Sequence, residues 1–125
     1  MADEKTILII EDDESLRDAY EMIFEEHGYK CIMAPDGIEG LRAFTMNRAV
    51  IDLVITDLQM PMRDGSDVAS SIVKLTCNSC PIIMVSGYIN EETKEKLSDV
   101  ESIHFVDKPF DEDTFVDLIK NVLAA

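Results

Sequence analysis

Four short apolar runs in this chain end on residues that could do chemistry together. Residues 7–10 are followed by Glu11, Asp12 and Asp13, and residues 50–55 by Thr56 and Asp57. Residues 82–85 are followed by Ser86 and Gly87, and the run at 103–106 leads to Lys108 and Pro109. Converging carboxylates raise one another's pKa unless a cation offsets them. A few oxygen ligands suit Mg²⁺, which keeps several waters and often shares a phosphate. Lys108 would add a fixed positive charge and Ser86 a hydroxyl donor. Such a set describes a site for a dianionic phosphoryl group beside a divalent metal. A carboxylate can itself be the nucleophile, giving an acyl phosphate, with metal and lysine stabilising the transferring group. Any one acid after a strand is most simply a helix cap or a solvated turn, and Asp13 is read as the N-cap of the first helix. The whole set in this order carries the functional reading.

The elements that must position these residues are legible as an alternation. The runs at 7–10, 31–34, 50–55, 82–85 and 103–106 are strand-length and rich in β-branched residues. Continuous apolarity, rather than alternation, fits strands covered on both faces, as in a parallel sheet. Helical stripes lie between them: Leu16, Ala19, Tyr20, Ile23 and Phe24, closed by Gly28; Ile38, Leu41 and Phe44; Val68, Ile72 and Leu75, with Ser66 as N-cap; a mostly polar segment at 91–98 capped by Asn90; and Phe115, Leu118, Ile119 and Val122, capped by Asp111. Five strand–helix units predict an α/β sheet with helices on both faces and right-handed crossovers. In such sheets ligand chemistry gathers beyond the carboxyl ends of the strands.

Composition narrows the function classes. A chain of 125 residues argues for one domain, spanning 1–125. With 11 basic and 26 acidic side chains the net charge is −15, which opposes binding to nucleic acid or to an anionic membrane by this chain itself. Its longest apolar stretches are far too short to span a bilayer. The start, Met-Ala-Asp-Glu-Lys, lacks the basic beginning of a secretory signal, and three cysteines in that context point to a reducing cytoplasm. Hydrophobic content of 46% excludes intrinsic disorder.

Four motifs then carry a resemblance. They are Ile-Leu-Ile-Ile-Glu-Asp-Asp-Glu at 7–14, Asp-Leu-Gln-Met-Pro-Met-Arg-Asp-Gly at 57–65, Met-Val-Ser-Gly at 84–87 and Phe-Val-Asp-Lys-Pro-Phe at 105–110. Each alone is weak; all four in order, at the right strand ends, are specific. Over nearly its full length the chain resembles the receiver domain of two-component response regulators. The resemblance implies a flavodoxin-like (βα)5 fold, a doubly wound five-stranded parallel sheet of strand order 2-1-3-4-5. It implies Asp57 as phosphoacceptor, Asp12 as a direct Mg²⁺ ligand, Glu11 as a ligand through water, and the Gln59 backbone carbonyl as a further ligand, with Mn²⁺ able to substitute. Lys108 takes the position of the phosphoryl contact, Ser86 of the switch hydroxyl and Phe105 of the switch aromatic. Lys108–Pro109 corresponds to a cis peptide, which is cheap only before proline. Glu11 stands where Asp is more frequent, and its extra methylene favours contact through water. The acid run is three long, so Asp12 with Asp13 is an alternative pairing; the spacing to Asp57 supports Glu11 and Asp12. Phe105 has no hydroxyl, so it can switch only by packing. Gln59 and Tyr88 lie where the family tunes dephosphorylation.

The resemblance further implies a phosphorylation switch. The donor is a sensor histidine kinase or a phosphotransfer protein, and self-phosphorylation with slow autodephosphorylation is the only catalysis. Phosphorylation would draw Ser86 inward, let Phe105 rotate from an exposed to a buried position, and bias the surface formed by the fourth helical segment, fifth strand and fifth helical segment toward an output domain or target protein, with homodimerisation as one outcome. The fourth segment, anchored by Ile89 and Leu97 alone, is the credible mobile element. The chain is either a complete single-domain regulator or a receiver from a longer protein.

Competing readings are weaker. A haloacid-dehalogenase-type phosphatase needs a second acid two residues after its nucleophile, where this chain has Gln59. A flavin module needs a hydroxyl-rich phosphate loop after the first strand, where Glu11, Asp12 and Asp13 would repel phosphate. Cys77 and Cys80 form a C-x-x-C, but they precede the fourth strand, opposite the acids and at no helix N-terminus that would lower a thiol pKa. As zinc ligands they would need two more; of Cys31, His27 and His104, only His104 is expected nearby. Met22, Met33 and Met84 are read as core filling, and Met60 and Met62 as loop residues.

Overall fold

The chain alternates as its apolar runs predict. The computed structural model describes residues 4–57, 65–76, 79–86, 95, 102–108 and 110–124. In order they form β1 (Thr6–Ile10), α1 (Glu14–Glu26), β2 (Lys30–Ala34), α2 (Gly37–Asn47), β3 (Ile51–Asp57), α3 (Gly65–Thr76), β4 (Ile82–Ser86), β5 (Ile103–Asp107) and α4 (Glu112–Ala124). All strand pairings are parallel, in the order β2-β1-β3-β4-β5. This is the doubly wound, flavodoxin-like sheet expected. Among the described residues there are four helices. The expected segment at 91–98, with Ile89, Asn90 and Leu97, lies outside them apart from helical Glu95, so the helix after β5 is α4. The Ser66 side chain and residues Met60, Met62, Cys77, Gly87, Tyr88 and Pro109 also lie outside them.

Side chains alternate across a strand, so each central strand feeds two cores. Leu8, Ile10, Val54, Ile82 and Met84 face α2 and α3, meeting Phe44, Val68, Ala69 and Ile72. Ile7, Ile9, Leu53, Ile55, Ile83 and Val85 face α1 and α4, meeting Tyr20, Phe24, Phe115 and Ile119. Helix ends follow their local chemistry. The Asp13 carboxylate caps α1 by accepting from the N–H groups of Ser15 at 2.8 Å and Leu16 at 3.3 Å. Gly28 takes φ +83° after α1, a conformation that favours glycine. Asp111 caps α4, accepting from Thr114 N–H at 3.1 Å. Asp52, the polar break in the third run, sits where the β1–β3 register shifts between Thr6 and Ile7, and its carboxylate accepts the Thr6 N–H at 2.9 Å.

Several apolar residues expected inside are outside. Met22 and Leu75 are 71% and 42% exposed, Val50 lies before β3 and is 55% exposed, Ile38 is 39% exposed, and Ala19 faces solvent. The buried faces explain this. The inner line of α2 runs through Gly37, Gly40 and Phe44, and Ile38 is turned about 100° from Gly37. In α1 the line runs through Tyr20 and Phe24, which turns Ala19 away. Met33 is half-buried against the α1-side core, and Met84 is fully buried.

Candidate phosphoryl site

The strand register brings the site residues together. Ile10 lies beside Thr56, so Glu11 and Asp57 emerge as neighbours. Asp57 lies beside Val85 and Ser86 beside Asp107, so Ser86 and Lys108 follow along the same edge. The Glu11 N–H continues the β1–β2 ladder by donating to the Ala34 carbonyl at 3.0 Å, and the Lys108 N–H donates to the Ser86 carbonyl at 2.8 Å. Glu11 and Asp57 meet where the chain changes direction of winding across the sheet, the position at which such sheets bind ligands.

Glu11, Asp12 and Asp57 each place a carboxylate oxygen within 4.8 Å of the others. Lys108 Nζ lies 3.0 Å from Asp57 Oδ2 and 3.6 Å from Glu11 Oε1. The side chains of Glu11 and Asp57 are 3% and 11% exposed, whereas Asp12 is open to solvent. Burial pushes the Glu11 carboxyl up, from 4.5 to about 7; the charge of Asp57 and a hydrogen bond with Asp12 add to it, against the Asp13 N–H and the Lys108 charge. For Lys108, burial would lower the ammonium's pKa, but the hydrogen bond and charge of Asp57, with those of Glu11, outweigh it and raise it. Asp13, the alternative partner of Asp12, is occupied at the α1 cap.

The donor set fits a hard divalent cation. It is all oxygen and has one ligand open to water, as Mg²⁺ favours. The buried Glu11 carboxyl is a group whose charged form a nearby cation would restore. Gln59, whose backbone carbonyl is an expected ligand, lies outside the described residues. Ser86 is buried at the end of β4, and Phe105 is half-buried against the α2–α3 core. Motif reading missed two neighbours. Arg17 donates from Nη1 to the Glu11 carbonyl at 2.8 Å, bracing the turn after β1. The Tyr20 ring packs beneath Phe110, two residues beyond Lys108. Arginine on a polar helix face and tyrosine on an apolar one are unremarked by motif reading; only contact reveals them.

Among the described residues, the cysteines make no comparable site. Cys31 lies on the edge strand β2, separated from β4 by two other strands. Burial first, then the charge of Asp52, pushes the Cys80 thiol up to about 11; burial, then Glu21 and Glu25, does the same to Cys31. Both are therefore held as unreactive thiols. Among the described residues, the other close grouping of metal-type side chains is the exposed trio Glu26, His27 and Glu112, which includes neither cysteine nor His104.

Comparison with known proteins agrees with this geometry. The family model described as the response regulator receiver domain matches residues 7–120. The chain belongs to the response regulator receiver family. It is 31% identical over 123 residues to the transcriptional regulatory protein CseB of Streptomyces avermitilis, covering 98% of this chain and 51% of that one. It is 33% identical over 118 residues to response regulator RR06 of Streptococcus pneumoniae, covering 94% and 51%. The chain thus spans about half the length of these curated relatives. Among solved structures it is similar to a CheY-like receiver domain protein from Methanospirillum hungatei, with TM-score 0.87, 26% identity, and coverage of 97% and 94%. It is also similar to a chain of the CheX–CheY–BeF3–Mg²⁺ complex from Borrelia burgdorferi, with TM-score 0.86, 26% identity, and coverage of 94% and 88%. As a receiver domain the chain is a signalling module of two-component systems. Among the described residues, no helix is long and apolar enough to cross a membrane.

Proposed function

We propose that this receiver accepts a phosphoryl group on Asp57 from the phosphohistidine of a sensor histidine kinase or phosphotransfer protein. The observation that carries the reading is the pairing of Asp57 with Lys108 at 3.0 Å beside the converging carboxylates of Glu11 and Asp12. An Asp57 carboxylate oxygen attacks phosphorus in line. The new P–O bond forms as the P–N bond breaks, and the electron pair leaves on the donor imidazole. Asp12 and Asp57, Glu11 through water, and the Gln59 carbonyl are the residues that would hold Mg²⁺ or Mn²⁺. The bound cation would supply charge neutralisation between the carboxylate and the phosphoryl oxygens. Lys108 exchanges a carboxylate partner for a phosphoryl oxygen, and Ser86 donates its hydroxyl to another. The product adds about −1.5 to −2 charge at Asp57.

Withdrawal of Ser86 toward that charge leaves room for Phe105, already half-buried, to pack inward. The surface around β5, α4 and the segment at 91–98 then passes the signal to an output domain or target protein, or to a second copy. The chemistry beyond self-phosphorylation and slow autodephosphorylation belongs to partners. The site of action is the cytoplasm, and the charge of −15 keeps the domain itself off nucleic acid. The BeF3 and Mg²⁺ named for the Borrelia burgdorferi complex support this reading.

Intact mass after incubation with acetyl phosphate and Mg²⁺ tests it. One added phosphoryl group is expected in the wild type, and none without Mg²⁺ or in Asp57→Ala. If the wild type gains no mass and its NMR spectrum also ignores beryllofluoride with Mg²⁺, the proposal fails.

A further inference from the structure

Tyr20 lies on the inner face of α1 and is 2% exposed. Its ring is part of an aromatic stack, with centroids 6.0 Å from Phe24, 6.3 Å from Phe110 and 6.0 Å from Phe115. A phenylalanine would fill that space as well. Its hydroxyl, however, is buried and has no hydrogen-bond partner among the described residues. Buried polar groups are nearly always paired, and an exception asks for a reason.

The direction of the side chain supplies one. Helical side chains lean toward their own N-terminus, and the N-terminus of α1 is the end that follows Glu11. The charges that act on the Tyr20 hydroxyl are those of Glu11 and then Asp57; with burial, the larger effect, they disfavour its ionisation, so it stays a donor. Glu11 has a complementary need. One of its oxygens, Oε2, accepts from the Asp13 N–H at 3.2 Å. The other, Oε1, has the Lys108 ammonium at 3.6 Å, and that ammonium is closer to Asp57. Lys108 also stands two residues before Phe110, on which the Tyr20 ring is stacked. A shift of Phe110 on loading would therefore reach the ring that carries the orphan donor.

We infer that Tyr20 is a positioning residue of the phosphoryl site, its hydroxyl becoming the donor to Glu11 when Lys108 leaves Glu11 for the phosphoryl group on Asp57. The inference rests on the phosphoacceptor reading above. Tyr20 thereby gives Glu11 Oε1 a donor in place of the departed ammonium, and it does so only in the loaded state.

Tyr20→Phe retains the stack and deletes the hydroxyl. Beryllofluoride with Mg²⁺ is the probe of the loaded state. In the wild type, labelled at tyrosine Cζ, three signals are expected from the three tyrosines, and the one missing in Tyr20→Phe identifies Tyr20. That signal should shift on loading. Tyr20→Phe should bind beryllofluoride about three- to tenfold more weakly, the loss of one net hydrogen bond, while its unloaded melting temperature is unchanged or higher. A Tyr20 Cζ signal that ignores loading overturns the inference, as does wild-type beryllofluoride affinity in Tyr20→Phe, whatever the unloaded stability. If the wild type itself takes up no beryllofluoride, the phosphoacceptor reading fails and the role of Tyr20 falls with it; wild-type uptake with a silent Tyr20 sinks this inference alone.

Discussion

Glu11→Gln should flatten the pH dependence of stability in metal-free buffer. The Glu11 carboxyl titrates near 4.5 when exposed and near 7 in the fold, with burial as the first cause and the Asp57 charge as a further one. The folded state therefore holds this proton more tightly than the unfolded state. Stability from this group is fully present below pH 4.5 and is lost as pH rises to about 7. The shift from 4.5 to about 7 is worth roughly 3 kcal/mol at about 1.36 kcal/mol per unit. For a domain of this size that is on the order of 10 °C in melting temperature. Urea unfolding, followed by far-UV circular dichroism with a chelator present, should be run on wild type and Glu11→Gln in steps from below pH 4.5 to above 7. Taking the difference between the two proteins cancels the groups they share. The altered contacts of the variant's amide with Lys108 and the Asp13 N–H enter that difference as a constant offset. The advantage of Glu11→Gln should grow by up to about 3 kcal/mol across the window. Mg²⁺ should reduce that growth, because a cation favours the charged carboxyl. A difference that stays level across the window refutes the argument that burial and Asp57 hold the Glu11 proton.

Other predictions concern packing, capping and thiol chemistry. A Cβ on Gly40 would lie 2.5 Å from Ile10 Cδ1 and 2.7 Å from Cγ1, and Ile10 is branched and buried. Gly40→Ala should therefore lose about 1–3 kcal/mol to overpacking, against a gain of about 1 kcal/mol in helix propensity; a higher urea midpoint at unchanged slope would contradict this. Asp13→Ala removes the acceptor for the Ser15 and Leu16 N–H groups and should cost about 1 kcal/mol in chemical denaturation, with no loss meaning that the cap is dispensable. Cys80, its thiol pushed up to about 11 by burial, should resist iodoacetamide at neutral pH until the protein is denatured. Peptide-level mass spectrometry reads this directly, and rapid native labelling at Cys80 would disprove it.

Local chemistry was legible wherever its cause was local. The β-branched runs became strands because no other element buries such residues on both faces so completely, as Ile7 to Ile10 show. Asp13, Asp111 and Gly28 were readable as punctuation because a cap or a turn involves only neighbours in sequence. Stripe edges were less readable. Ala19, Ile38 and Leu75 satisfy helical spacing yet face outward, because periodicity defines a face without saying which part of it meets the sheet. That depended on Gly40 letting α2 approach Ile10 of β1, and on the aromatic stack centring α1 on Tyr20 and Phe24.

The sequence by itself determined the alternating architecture, the sheet order implied by its motifs, and the kinds of group at the strand ends. Those depend on hydrophobic period and residue type, both of which are written along the chain. Spacing favoured Glu11 and Asp12 over Asp13, but only tertiary structure set their oxygens beside Asp57 and showed that Lys108 is shared unequally between two carboxylates. It also decided that Arg17 braces the Glu11 carbonyl and that an ordinary core tyrosine carries an unpaired hydroxyl. These facts turn on distances of a few ångströms between residues as far as 51 apart in sequence. Strand register and the packing of α1 against the sheet set such distances, and no local pattern encodes them.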